Sequence, residues 1–204
     1  MDYREIFVSN LPELVLASQS PARRSLLESL GCIVHVKPTY SDEFHTGSSP
    51  LLVVQELAER KMSAYLTMHP HPELPVLTAD TIVSCEGKLL GKPTTERDAE
   101  MQIQLLNGRT HSVLSGFALY RPGDHHGPPA MISGADETFI TFHRIAESDI
   151  ASYLAGGDWV GAAGSYRIQG DAKVFIKNIS GDYSTVVGLP IQAISAILSS
   201  PVSL

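Results

Sequence analysis

Three things are scarce in this chain, and each scarcity closes off a class of protein. Cysteine occurs only twice in 204 residues, at Cys32 and Cys85. Both sit in apolar surroundings, and neither belongs to a Cys-x-x-Cys pair. That excludes a disulfide scaffold and a thiolate metal site, and fits small core residues in a reducing compartment. Long apolar runs are missing too. Nothing approaches the ~20 residues of a membrane span, and the opening MDYREIFVSN has no apolar core, so no signal peptide is expected. Positive charge is short as well: 15 Lys and Arg stand against 22 Asp and Glu, a net charge of -7. A general nucleic-acid or membrane-surface binder would need a basic face, so neither partner is expected. A small anion held in a local basic pocket stays open, and the cytoplasm is the expected location.

What is present is ordinary for a soluble globular chain: 43% hydrophobic and 18% charged residues. The most informative stretch is near the start. Residues 14–17 (LVLA) read as a buried strand. Ser20-Pro21 reads as a helix start, serine at the N-cap and proline at the first helical position. Leu26, Leu27 and Leu30 give that helix a core face, and Gly31 stands where a left-handed cap belongs. Its first turn carries Arg23 and Arg24, although a helix N-terminus favours acids. An anion would account for them. Backbone N–H groups, the hydroxyls of Ser18 and Ser20, and an arginine converge as a phosphate site would require. The alternative is a capped surface helix with two solvated arginines.

The rest of the chain alternates strands and helices. Residues 1–12 read as a loose leader, though Ile6, Phe7 and Val8 are apolar enough to pack. A second strand is expected at 33–36, then a polar loop, 37–49, holding Asp42 and Glu43. Ser49-Pro50 repeats the capping signal and opens a helix to about residue 68. Lys61 lies four residues after Leu57. Its stem therefore follows the apolar face, and its tip either snorkels to water or reaches into a cleft. His69-Pro70-His71-Pro72 reads as a loop. Residues 75–85 read as a long strand interrupted by Asp80, flanked by Ala79, Ile82 and Val83. A carboxylate there must be ion-paired, metal-bound or facing a cleft.

A hairpin at Glu86-Gly87 returns through 88–90 to Gly91-Lys92-Pro93, where the proline keeps Lys92 extended. Thr95 and Asp98 form a capping box for a helix over 96–107. Strands are expected at 110–120, 131–144 and 172–179, and helices at 148–155 and 191–198. His125 and His126 fall in a surface loop, and 181–183 is a turn. Residues 159–170 (WVGAAGSYRIQG) are too glycine-rich for core and too apolar for loop, which suits a lid or wall close to a ligand. Hairpins mixed with crossovers predict an α/β fold with a mixed sheet, one domain over 13–200, and two lobes around a cleft.

Together, Ser18-x-Ser20-Pro21-x-Arg23, Asp42-Glu43, Leu57-Ala58-x-x-Lys61, Ala79-Asp80-Thr81-x-Val83, Lys92-Pro93, Gly108-x-Thr110-His111, Ala163-Gly164-x-Tyr166-x-Ile168-Gln169-Gly170 and Val187-Gly188-Leu189-Pro190 resemble the Maf family of nucleoside triphosphate pyrophosphatases. The resemblance runs over about residues 14–200, and its weight lies in eight motifs in one order. It implies an elongated mixed β-sheet flanked by helices with a central cleft, shared with the inosine-triphosphate pyrophosphatases. It implies a hydrolase that converts a nucleoside triphosphate and water into the monophosphate and pyrophosphate with a divalent cation, Mg or Mn.

By the same resemblance Asp80 is the proton acceptor and Glu43 helps to hold the metal. Ser20, Arg23, Lys61 and Lys92 contact phosphates, with Ser18 beside them. The residues read by themselves agree. Three phosphates need charge neutralised, and Asp80 serves as either base or metal ligand. Ala22, Thr81 and Gln169 match the positions that track the base. Thr81 and Gln169 fit the branch acting on dTTP and UTP; Ala22 departs from it and from the 7-methyl-GTP branch, leaving a roomier pocket. Gly161-Ala162 also departs, standing where the dTTP/UTP branch has Asp-Lys. The family is tied to clearing modified nucleotides and to arrest of cell division, and a homodimer is expected. A rival reading is a nucleotide-binding regulator without turnover, against which Glu43 and Asp80 both weigh.

Overall fold

The computed structural model describes residues 2–40, 46–47, 49–123 and 128–200. Its centre is the strand that carries Asp80, Val76–Cys85 (β3). On one edge β3 pairs with Thr110–Arg121 (β5) over nine consecutive residue pairs, Val76–Ser84 against Ser112–Tyr120. The other edge is shared. Glu13–Leu16 (β1) runs parallel to it at Val76 and Leu77 only, and Lys88–Leu90 (β4) pairs antiparallel at Val83–Cys85. Between those partners the edge of β3 from Thr78 to Ile82 has no neighbouring strand among the described residues. Ile33–Val36 (β2) extends the sheet beyond β1, and Ala130–Phe142 (β6) and Ile176–Ser180 (β7) extend it beyond β5. The sheet is mixed, parallel at β2-β1-β3 and antiparallel elsewhere, as expected from the order of elements.

Side chains alternate across β3, because successive residues of a strand point to opposite faces. Val76, Thr78, Asp80 and Ile82 face the long helix Pro50–Met68 (α3). Thr78 Oγ1 donates to the Ala58 carbonyl at 2.7 Å, and Ile82 packs with Val53, Val54 and Leu57. Helix α3 lies so close to β5 that a Cβ on Gly116 would sit 2.3 Å from the Val54 carbonyl oxygen. The opposite face splits into two cores. One gathers Leu14, Leu16, Leu27, Leu77 and Leu119; the other gathers Val83, Ile103, Val113, Phe142 and Tyr153. The cleft lies between them, beside the unpaired edge of β3.

The helix starts read from the sequence are in place. Ser20 caps Pro21–Ser29 (α2), Ser49 caps α3, and Thr95 with Asp98 forms the capping box of Glu96–Leu106 (α4). Gly31 follows α2 at φ +89°. Three segments differ from expectation. Residues 3–10 are not a loose leader. Tyr3–Asn10 form a helix (α1), capped by Asp2, whose Phe7 is fully buried together with the following Leu11 against Ile194 and Leu198 of Ile191–Ser199 (α7). Residues 171–175 form a 3-10 turn before β7. Ala172 and Phe175 are three apart and both enter the core, a spacing that suits a turn and not a strand. After Glu147–Gly156 (α5) and that turn, Tyr183–Val187 form a short helix (α6), capped by Asp182, that begins on the last residue of the turn expected over 181–183.

Gly116→Ala should lower stability by about 3 kcal/mol, because the new methyl meets helix backbone and not a side chain that could swing aside. Urea unfolding of the variant against the native chain reads this directly. An unchanged midpoint would mean that α3 can lift off β5.

Candidate active site

The gap in the edge of β3 is filled from α2. Arg23, the second residue after Pro21, is buried and turns its guanidinium into the gap. Nη1 donates to the Ala79 carbonyl at 2.8 Å, the β3 carbonyl that a neighbouring strand would otherwise satisfy, and to Ser18 Oγ at 3.0 Å. Nε donates to the Gly188 carbonyl at 2.7 Å, just past α6, and Nη2 to Thr81 Oγ1 at 3.0 Å. A Cβ at Gly188 would stand 3.2 Å from Arg23 Nε and 3.1 Å from Thr81 Oγ1, and its φ is +115°. Glycine is what lets this corner close. Burial lowers the Arg23 pKa and the charge of Asp80 partly restores it. Arg24, its neighbour, is exposed and paired with Glu28 at 2.8 Å. The two arginines thus divide the two readings open in the sequence. Arg23 belongs to the site, with four of its five donors bound to protein, and Arg24 is solvated surface.

A cleft of about 1040 Å³ opens above this corner. Every described residue singled out as a site candidate lines it: Ser18, Ser20, Ala22 and Arg23 from the start of α2, and Lys61, Asp80 and Thr81 from α3 and β3. Lys92, after β4, and Gln169, at the end of the glycine-rich stretch, line it as well. Glu43 and its neighbour Asp42, like His125 and His126, lie outside the described residues. Ser18 and Ser20 first serve the chain itself. Ser20 Oγ accepts from the Arg23 backbone N–H, and Ser18 Oγ accepts from the Ser20 N–H at 3.3 Å.

Asp80 and Lys61 form a close ion pair on the α3 face, Nζ to Oδ1 2.5 Å, with side chains only 17% and 12% exposed for lysine and aspartate. The tip of Lys61 thus reaches into the cleft. Its pKa lies below the ordinary lysine value. Burial is the main cause, opposed by Asp80 and assisted by the positive charges of Arg23 and Lys92. No described donor is bonded to the second oxygen, Oδ2, leaving it available to a ligand. Among the described residues no three of His, Cys, Asp and Glu come together as a metal cage. Asp80 is the hard oxygen donor that the described cleft offers.

On the opposite face Thr81 Oγ1 lies 2.9 Å from Ser115 Oγ, and Ser115 donates to the Thr185 carbonyl at 2.7 Å. Sequence reasoning missed Ser115 and Thr185, since only the β3–β5 register sets Ser115 opposite Thr81. It also passed over Arg167. This residue lines the cleft while its Nη2 donates to the Val160 carbonyl at 2.6 Å and its Nη1 bonds to Asp158, fastening the glycine-rich wall. Tyr166, on the same wall, meets buried His111 through Nε2 at 2.8 Å, with Phe142 edge-on to both rings.

The chain matches the family model described as Maf-like protein over residues 13–200. It is 37% identical over 185 residues to a dTTP/UTP pyrophosphatase of Pyrococcus abyssi, covering 91% of this chain and 94% of that one. It is 40% identical over 191 residues to a dTTP/UTP pyrophosphatase of Gluconobacter oxydans, covering 92% and 86%. A solved nucleoside-triphosphatase, dITP/XTP pyrophosphatase, of Mycobacterium abscessus shares 16% identity at a TM-score of 0.38, covering 65% of this chain and 75% of that one. That likeness is too distant to argue from.

Burial holds the His111 pKa at about 4, below its ordinary 6.5. Between those values the unfolded chain binds a proton that the folded chain does not. The stabilisation is therefore complete above about pH 6.5 and declines by about 3 kcal/mol as the pH falls to 4. His111→Gln should flatten that decline. Urea unfolding at several pH values between 7 and 4 checks it, and parallel slopes for variant and native chain would remove His111 as the cause.

Proposed function

The chain belongs to the Maf family, and from that premise we propose that it is a nucleoside triphosphate pyrophosphatase acting on dTTP, UTP or modified pyrimidine nucleotides. The observation that carries the reading is the buried Lys61–Asp80 pair, with one carboxylate oxygen free, at the floor of a cleft entered by the N-terminus of α2. The active unit is residues 13–200 acting as one domain. The names of the relatives, dTTP/UTP pyrophosphatase, support both the reaction and the pyrimidine class.

In this reading the triphosphate lies between α2 and Lys92. Ser18, Ser20 and the remaining donor of Arg23 hold its oxygens, and Lys61 and Lys92 offset its charge. Asp80 orients a water and takes its proton as the oxygen forms a bond to the α-phosphorus. The bond to the bridging oxygen breaks, and pyrophosphate leaves with the electron pair. A divalent cation, Mg or Mn, fits the hard oxygen chemistry present. Asp80 and Glu43 would hold it together with substrate phosphates, and it would add further charge neutralisation. Thr81, Gln169 and Ala22 surround the base. Gln169 is exposed and offers both a donor and an acceptor to a pyrimidine edge. Ala22 leaves room that favours a second reading, a broader base preference.

The cellular task proposed is removal of modified nucleotides before incorporation, in the cytoplasm and as a homodimer, compatible with a role in division arrest. No helix among the described residues is long and apolar enough to cross a membrane.

Pyrophosphate release should be measured on dTTP, UTP, CTP and 7-methyl-GTP with Mg or Mn, for the native chain and Asp80→Asn. Turnover concentrated on dTTP and UTP, and reduced about 10³-fold in the variant, is expected. Equal turnover of all four would favour the broader reading. Binding without turnover on any of them would sink the enzyme and leave a nucleotide-binding regulator.

A further inference from the structure

Ser115 lies on β5 directly across from Thr81, fully buried, and is not part of the cleft lining. Its surroundings fix where its proton is. Ser115 Oγ stands 2.7 Å from the Thr185 carbonyl oxygen, which has no hydrogen to give, so the one hydroxyl proton of Ser115 points there. The 2.9 Å contact between Ser115 Oγ and Thr81 Oγ1 must then take its proton from Thr81. Thr81 Oγ1 also accepts from Arg23 Nη2 at 3.0 Å. Its proton and one lone pair are thereby occupied. Thr81 lines the cleft, and what its hydroxyl has left to offer a ligand there is a single lone pair and no hydrogen.

We propose that Ser115 is a positioning residue for base selection: by holding the Thr81 proton, it makes that hydroxyl an acceptor only. If the base sets its N3 position against Thr81, it must then present an N–H there, as the imide of uracil or thymine does. A bare ring nitrogen, as in cytosine, meets a lone pair instead and is disfavoured. Without Ser115 the threonine hydroxyl is free to rotate and donate, and the discrimination relaxes. The direction of the chain is set at its far end by Ser115 and the Thr185 carbonyl, neither of which lines the cleft. This inference rests on the reading of the cleft as a nucleoside triphosphate site with Thr81 beside the base.

The test compares kcat/KM for UTP and CTP in the native chain, Ser115→Ala, Thr81→Val and the double variant. Ser115→Ala should reduce the UTP-to-CTP ratio about tenfold, through a lower KM for CTP and not a change in kcat. In the Thr81→Val background the Ser115 change should leave the ratio where it is, since the hydroxyl it acts through is gone. A Ser115 that merely supports the fold would scale both substrates alike. An unchanged ratio in Ser115→Ala, or an equal shift in the Thr81→Val background, overturns the proposal. Should Ser115→Ala fail to fold, Ser115→Cys takes its place, a near-isostere whose sulfur is a weak acceptor. If the native chain turns over neither nucleotide, the enzyme reading fails separately. The same ratio is then read from calorimetric binding of UTP and CTP, with the same two outcomes.

Discussion

A guanidinium standing in for a missing strand holds this structure open and together. Among the described residues the edge of β3 has strand partners at both ends and none in the middle. Left bare in an apolar setting, its carbonyl would lack a donor, and burying such a group unpaired costs about 1–3 kcal/mol. Arg23 supplies the donor to Ala79, and from the same head group reaches Gly188 and Thr81. One side chain thus ties α2, β3 and the segment after α6 into a single corner. The burial of its charge is unfavourable by itself, and Asp80 offsets part of that. The cleft exists because β1 and β4 do not meet, and it keeps its shape because Arg23 bridges the interval.

The electrostatics of the cleft run against those of the chain. The net charge is -7, yet Arg23, Lys61 and Lys92 all line one depression, with Asp80 the acid among the described residues on its floor. Burial does most to lower the Lys61 pKa, and the positive charges of Arg23 and Lys92 add to it. A site that keeps them together with fewer acids among the described residues is built to receive negative charge from outside.

Much of this could be read from the sequence, and the reasons are local. Ser20-Pro21, Ser49-Pro50 and Thr95 with Asp98 announce helix starts because capping is a matter of three or four neighbouring residues. Asp80 stood out because a carboxylate in an apolar strand needs a reason, and its partner Lys61 was marked by helical spacing alone. What escaped depends on pairings distant in the chain. Helix α1 is held by Phe7 and Leu11 packing on α7, some 185 residues away, and eight residues with a weak apolar pattern do not declare that. Ser115 looks like any small polar residue until the β3–β5 register sets it against Thr81. Charge and helical position do not separate Arg23 from Arg24; the resemblance singles out Arg23, and the packing of α2 buries it while Arg24 stays exposed.

The alternation of β3 has a geometric consequence. Asp80 and Thr81 are adjacent in the chain yet belong to different neighbourhoods, one under α3 with Lys61 and the other beside α6 with Ser115. One peptide unit, ~3.3 Å long, is the whole partition between an ionic compartment and a hydroxyl compartment. The strand therefore acts as a ruler, and any molecule gripped on both sides is measured against a spacing that the backbone cannot stretch. Inserting or deleting one residue in this strand would exchange the two compartments outright.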